Sequence, residues 1–569
     1  MSDGEHDFFR NNIRARDNSF FNEGILGEEE KSGLPNIIII LADDLGFSDI
    51  SCYGSEIKTS NLDYLASHGV RFTQMYNCAR CCPTRTSLLT GLYPHQAGVG
   101  WMIPNLGIPA YQGYLNQRCV TIAEVLRTGG YRTLMSGKWH VGGSYPVRHR
   151  AKWSPGQKEH PRPIDRGFDQ HFGTLTGAGS YFNPHTLICN DRLVEPEGEH
   201  FYYTDAISDN AVAMIETGFT SKKPFFLYVA YTAPHWPLHA IPEDVERYRD
   251  RYRKGWDMIR MERYERLKSM GMLSSQWALS PRDDKAVPWL EVKDKNWESA
   301  RMAVYAAQID RMDQGIGRII AKLRELKIEK NTLVIFLSDN GGCAEFLKED
   351  GGYRYECVLP RTREGRLVRC GNIPGLMPGP DDTYMSYDLP WANASNTPFR
   401  LYKHWVHEGG IATPMIVYWP ALVQPGIIVD QPTHVVDIMA TCLDAARIKY
   451  PVEHNGNKII PLEGESLMPI FRDEAWWRKR PICWEHEGNS AVRKDEWKLV
   501  SKYPGKWELY NMEEDRTELN DQAKRNLSKL KELKAIYEEW ADRCEMLAWK
   551  KIKPLVEEQR RQREEKGNF

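Results

Sequence analysis

The chain has 569 residues, a formal net charge of -2, 41% hydrophobic and 27% charged residues. That length exceeds what one simple core fills and predicts two domains, while the near-neutral charge argues against a nucleic-acid partner. The longest purely apolar run, Ile37 to Ala42, is far too short for a bilayer, so no membrane span is expected.

Residues 1–33 are polar and charged, without the apolar stretch of a secretory signal, and read as a surface arm or a disordered tail. Twelve scattered cysteines in so long a chain do not suggest a disulfide framework. A reducing, cytoplasmic location is expected, or a periplasmic one if a leader has been removed.

Pro35-Asn36 opens the run Ile37 to Leu41, β-branched and apolar on both faces as in a strand buried within a parallel sheet, and the run stops at Asp43-Asp44-Leu45-Gly46. Next comes Cys81-Cys82-Pro83-Thr84-Arg85-Thr86-Ser87-Leu88-Leu89-Thr90-Gly91. Proline suits a first helical position, so Pro83 predicts a helix start with Cys81 just ahead of it. The unpaired N–H groups and positive dipole end there, with Arg85 one turn in, favour an anion such as sulfate or phosphate. Cys78 and Cys81 also form a CxxC, but no second CxxC accompanies it, which weighs against a zinc or redox pair.

Tyr131 to Met135 is a weaker strand ending in Ser136-Gly137-Lys138-Trp139-His140. Phe225 to Ala230 leads through Tyr231 to Ala233-Pro234-His235-Trp236-Pro237-Leu238-His239. A helix is predicted from about Trp297 to Leu326, with Met302, Tyr305, Ile309, Met312, Ile316, Ile319 and Leu323 on one stripe. The strand Thr332 to Leu337 then runs into Ser338-Asp339-Asn340-Gly341-Gly342. Past Pro420 come a helix over Val435 to Ala446, short strands near Arg480 to Tyr510, a helix from about Leu527 to Cys544, and a charged tail from which no chemistry is expected.

Strands alternating with helices predict an α/β domain with a mostly parallel sheet, in which ligands gather beyond the carboxyl ends of the strands. Asp43, Asp44, Lys138, His140, His235, Asp339 and Asn340 all follow strand ends and would meet on one rim. Asp43, Asp44, Asp339 and Asn340 form an all-oxygen donor set suited to a hard divalent cation, Ca²⁺ ahead of Mg²⁺. The plainer alternative is that Asp-Asp-Leu-Gly and Asp-Asn-Gly-Gly are only turns.

The Cys81 to Gly91 segment resembles the activation signature of the type I sulfatases, in which the cysteine is oxidised to formylglycine. Asp43-Asp44-Leu45-Gly46, Gly137-Lys138-Trp139-His140, Ala233-Pro234-His235, Ser338-Asp339-Asn340-Gly341, the Lys403 segment before Glu408-Gly409-Gly410, and Trp497-Lys498-Leu499 with Glu508-Leu509-Tyr510 look like the ordered motifs of bacterial arylsulfatases of the alkaline phosphatase superfamily. The resemblance implies a large mostly parallel mixed sheet flanked by helices, plus a smaller C-terminal antiparallel sheet with a helix. It divides the chain into an arm over 1–33, a catalytic domain over 34–475 and a C-terminal subdomain with a charged helical tail over 476–569.

It further implies hydrolysis of sulfate monoesters to alcohol and inorganic sulfate, with the hydrated aldehyde from Cys81 as nucleophile. A formylglycine-generating maturation enzyme and a small-molecule or glycan sulfate ester would be the partners. Ca²⁺ would be bound by Asp43, Asp44, Asp339, Asn340 and the modified Cys81. Arg85 would hold the formylglycine, Lys138 and Lys403 would grip sulfate oxygens, His235 with Lys403 would protonate the leaving oxygen, and His140 would serve the release of sulfate. Lys403 stands in Leu401-Tyr402-Lys403-His404-Trp405, where the family has a small, Gly-containing segment, so His404 is the alternative occupant of that position.

A phosphonate or phosphate ester hydrolase of the same superfamily, or an anion-binding protein with Cys81 unmodified, are the competing readings. His95, His239 and His407 are expected to be structural, and His185 to face the substrate. Residues 341–400 read as a long loop whose Arg354, Arg361, Arg363, Arg366 and Arg369 either receive anionic groups of a glycan or form a solvated face.

Overall fold

A computed structural model describes residues 33–145, 153–349 and 359–565, so all of the expected N-terminal arm but Gly33, and also Arg354, lie outside the described residues. The large sheet has eleven strands: β1 (Asn36–Asp43), β2 (Val70–Tyr76), β3 (Arg132–Gly137), β4 (Gln170–Thr174), β5 (Leu187–Cys189), β6 (Arg192–Leu193), β7 (Phe225–Pro234), β8 (Thr332–Ser338), β9 (Ala412–Tyr418), β10 (Ile427–Val429) and β11 (Thr433–His434). Their order is β10-β2-β9-β8-β1-β7-β3-β4-β5-β6, with β11 also on β2. The centre, β8-β1-β7-β3-β4, is parallel; β9 runs antiparallel to both β8 and β2.

Both faces of the central strands are covered, which is why they read as continuous apolar runs. Along β1 the pleat sends Ile38, Ile40 and Ala42 into one core and Ile37, Ile39 and Leu41 into another. The first core is closed by helices Ser60–Ser67, Tyr203–Thr220 and Lys295–Glu325, the last presenting the expected stripe from Met302 to Leu323. The second is closed by helices Cys81–Thr90, Ile122–Thr128 and Asp437–Ala445 through Leu88, Leu89, Ile122 and Ile438. No helix among the described residues is long and apolar enough to cross a membrane.

The C-terminal part is a four-stranded antiparallel sheet, β12 (Ile482–His486), β13 (Asn489–Lys494), β14 (Trp497–Ser501) and β15 (Trp507–Asn511). One face of it, Cys483, Val492, Leu499 and Leu509, packs under Leu533, Tyr537 and Trp540 of helix Leu527–Arg543. Its other face, Trp484, Ala491, Val500 and Tyr510, joins the core of the large sheet. The charged tail is helical over Trp549–Glu565 and seats Ile552 and Val556 on Trp101 and Tyr111.

Two expectations are corrected. The signature helix begins at Cys81, with Arg80 in the N-cap position but making no side-chain cap, so Cys81 occupies its first turn instead of preceding it, and Pro83 falls two residues inside. Residues 341–400 are not an unstructured loop: the described part carries a strand pair, Arg369–Cys370 with Thr383–Tyr384, and the helix Asp388–Ser395.

Candidate active site

Parallel register brings the strand ends to one rim. Asp43 of β1 lies opposite Pro234 of β7, Ala42 opposite Ser338 of β8, and Gly137 of β3 opposite Ala230 of β7. Gly137 has φ +119°, and a Cβ on it would stand 2.0 Å from the Ala230 carbonyl oxygen, so only glycine lets β3 close on β7 here. The next N–H, that of Lys138, then donates to Ala230 O at 2.8 Å and aims the lysine inward.

Asp43, Asp44, Asp339 and Asn340 are buried together. The Asp44 N–H donates to Asp339 Oδ1 at 3.2 Å, and Asn340 Nδ2 donates to Asp44 Oδ1 at 2.6 Å. Three buried cations answer the three carboxylates. Arg85 donates Nε and Nη2 to Asp339 Oδ2 at 3.0 and 2.8 Å, Lys138 pairs with Asp43, and Lys403 Nζ lies 2.8 Å from Asp44 Oδ1.

Asp43 Oδ1 and Asn340 Oδ1 are buried and accept no hydrogen bond from any described residue. Burial works against the Asp43 charge, but Lys138, His235 and Arg85 outweigh it and hold the carboxyl below its ordinary range. Asp339 is pushed well above that range by burial and by the neighbouring Asp43 charge, against Arg85. Three crowded carboxylates and an amide, with two acceptor oxygens unused, fit a hard divalent cation, which takes oxygen donors of this kind.

Cys81 is buried at the helix N-terminus. A hydrogen bond from Cys82, helped by the charges of Lys138 and His140, brings its thiol well below the ordinary value in spite of burial. Cys82 Sγ lies 3.4 Å from His140 Nε2, and burial lowers His140 to about 4. His235 Nδ1 sits 2.7 Å from Trp236 O, which assigns the ring proton to Nδ1. Its Nε2 is 3.1 Å from Lys403 Nζ and 3.3 Å from Asp44 Oδ2, and burial lowers this histidine too.

All ten residues expected from the sequence are therefore in one connected cluster. Between the two candidates in the Lys403 segment, only Lys403 joins it; His404 turns away and places Nδ1 2.8 Å from Glu487. His95, His239 and His407 hydrogen-bond to Glu485, Thr383 O and Glu508. His185 is buried and lowered to about 4 by that burial. Arg366 and Arg369 pair with Asp381 and Asp382, while Arg361 and Arg363 donate to Gly365 O and Gly198 O, and all four side chains are exposed at the surface.

The sequence reading missed Glu345, which accepts from Arg80 at 3.1 Å and from Trp236 Nε1 at 2.9 Å and adds a negative charge near Lys403. Its only signal was position, five residues beyond Asn340. A cavity of about 670 Å³ lined by His95, Glu463, Arg480 and Arg543 contains none of the clustered residues.

A family model described as sulfatase matches residues 35–448, and one described as N-sulphoglucosamine sulphohydrolase, C-terminal, matches residues 399–545. An uncharacterised sulfatase of Schizosaccharomyces pombe is 32% identical over 546 residues, 89% of this chain and 93% of its own. The arylsulfatase of Klebsiella aerogenes is 33% identical over 460 residues, 77% of this chain and 92% of its own. Among solved structures, Ps i-CgsB is 27% identical with a TM-score of 0.62, covering 89% of this chain and 92% of its own.

Proposed function

The chain belongs to the sulfatase family of sulfuric ester hydrolases, in the alkaline phosphatase-like superfamily, and from that premise we propose that it cleaves sulfate monoesters with a formylglycine made from Cys81 and a Ca²⁺ ion held by Asp43, Asp44, Asp339 and Asn340. The observation that carries the proposal is the placing of Cys81, at a helix N-terminus, among three buried cations and four buried oxygen-donor side chains, two with unused acceptors. Bound Ca²⁺ would supply concentrated positive charge to the sulfate and to the modified side chain. The hydrated aldehyde would supply a hydroxyl nucleophile whose sulfate ester can be released, where a serine would remain esterified.

The chain's own groups do the rest. Lys138 and Lys403 neutralise the sulfate oxygens so that a nucleophile can approach an anion, and do so in a buried site where aimed charges count for more than in water. Arg85, fixed by two hydrogen bonds to one Asp339 oxygen, orients the residue at position 81. The Lys403 Nζ and His235 Nε2 pair, 3.1 Å apart, holds the proton that the departing alkoxide needs. His140, kept neutral by burial, accepts the proton whose removal lets sulfate depart. A maturation enzyme acting on Cys81 is the partner this requires.

Mass spectrometry of the tryptic peptide Cys81–Arg85 from protein made in its native host tests the proposal, alongside rates on nitrophenyl sulfate and phenyl phosphonate. The aldehyde with faster sulfate turnover is expected. An active protein whose Cys81 is an unaltered thiol, or one that prefers the phosphonate, overturns it.

A further inference from the structure

A second cluster lies where the C-terminal sheet meets the Lys403 segment. His486, the last residue of β12, is fully buried, yet neither of its ring nitrogens has a hydrogen-bond partner among the described residues. The two-residue turn Glu487-Gly488 follows, both with positive φ (50° and 84°), the geometry that joins adjacent antiparallel strands tightly. Glu487 Oε2 lies 2.8 Å from His404 Nδ1, and its Oε1 accepts from Trp101 Nε1 at 2.6 Å. The rings of His404 and His486 meet edge to face at 5.6 Å. One donor atom from each of His404, His486 and Glu487 falls within 4.8 Å of the other two.

Leaving a buried polar group unpaired costs about 1–3 kcal/mol, and native proteins seldom tolerate it without a ligand, ion or water to take it up. Burial also keeps His486 neutral, lowering it to about 3, and neutral imidazole is the form that ligates metals. Two imidazoles and one carboxylate make a nitrogen-rich set that suits Zn²⁺ and not Ca²⁺. Trp101 would hold the carboxylate from behind, as supporting hydrogen bonds do in metal sites. The opposing charge nearby is Arg80, which is paired with Glu345 at 3.1 Å. Donors about 2.0–2.1 Å from a tetrahedral zinc stand roughly 3.3 Å apart, so side-chain shifts of roughly an ångström complete the geometry.

We propose that His404, His486 and Glu487 form a second cation site, for a zinc-like transition-metal ion, separate in its donors from the all-oxygen site at the strand ends. It is independent of the reaction assigned above.

The test is a Co²⁺ titration of the matured, calcium-loaded full-length protein, followed by displacement with Zn²⁺. One equivalent per chain is expected, with visible cobalt absorption, no near-ultraviolet thiolate-to-cobalt band, and loss of that absorption when Zn²⁺ is added. His486→Asn and Glu487→Gln should each weaken binding by about tenfold or more. Should His486→Asn fail to fold, the isosteric Glu487→Gln at the surface turn decides alone. Three results overturn the site: no bound equivalent, unchanged binding in the folded variants, or a thiolate band placing the ion on Cys82 and His140.

Discussion

His235 illustrates how a single side chain acquires a task from its surroundings. Its Nδ1 proton is committed to Trp236 O, which leaves Nε2 facing Lys403 and the buried oxygens of Asp44. A group that supplies a proton to a leaving oxygen matters most when that oxygen is a poor leaving group. His235→Ala should therefore reduce turnover of alkyl sulfates by about 10²–10⁴-fold and of nitrophenyl sulfate far less. Steady-state rates on the two substrates check this, and equal losses would remove His235 from proton transfer. Asp43, Asp44, Lys138, His140, His235, Asp339 and Asn340 were legible because each follows an apolar strand, whose parallel order fixes where such positions go, and Cys81 and Arg85 because they sit in a short signature, whereas Lys403 was placed only by the resemblance of the segment before Glu408-Gly409-Gly410. Glu345 and His486 were not, because their places depend on the path of a loop and on the docking of a separate sheet, neither of which leaves a periodic trace.

At the scale of elements, the strands best read from sequence were those buried on both faces, whose runs are uninterrupted. β2 escaped notice because Val70-Arg71-Phe72-Thr73-Gln74-Met75-Tyr76 mixes in polar residues, of which Arg71, Thr73 and Gln74 donate to the carbonyls of Cys52, Val429 and Asp430. β9 contains Pro414, ordinarily a strand breaker, and tolerates it at an irregularity between Thr413 and Met415 where the ladder to β2 shifts register. The end of β3 carries a sharper constraint. A side chain at Gly137 meets Ala230 backbone, not a flexible neighbour, and needs a left-handed φ as well. Gly137→Ala should cost about 2–4 kcal/mol and displace Lys138, lowering kcat/KM beyond what lost stability explains. Urea denaturation together with kinetics on the folded fraction measures both; a neutral change would show that β3 can slide without disturbing the site.

For the whole molecule, the question is what fastens the C-terminal sheet to the catalytic layers. Half of the answer is the alternation of β12 to β15, one face in each core. The other half is a buried ionic knot. Glu408, from the Glu408-Gly409-Gly410 motif, accepts from Lys498 of β14 at 2.8 Å, from Arg516 at 2.9 Å and from Tyr76 of β2 at 3.0 Å, while Lys498 also meets Glu518 at 2.8 Å. Burial opposes the Glu408 charge, but Lys498 and Arg516 prevail and lower it from 4.5 to about 2. A carboxyl depressed in the folded state stabilises fully above its unfolded value, and that contribution fades as pH falls from about 4.5 toward 2. Glu408→Gln leaves two buried cations short of a counter-charge, so it should destabilise by about 3–5 kcal/mol at pH 7, the cost of breaking a buried pair from one side. Replacing Glu408 and Lys498 together by leucine should cost less than the sum of the single changes, because neither of these two is then left facing the gap made by the other, although Arg516 and Glu518 each lose a partner. Urea midpoints at pH 7 and pH 3 distinguish this from simple packing loss: the gap between wild type and Glu408→Gln should narrow at pH 3, and a gap independent of pH would mean that the knot holds the two sheets by shape and not by charge.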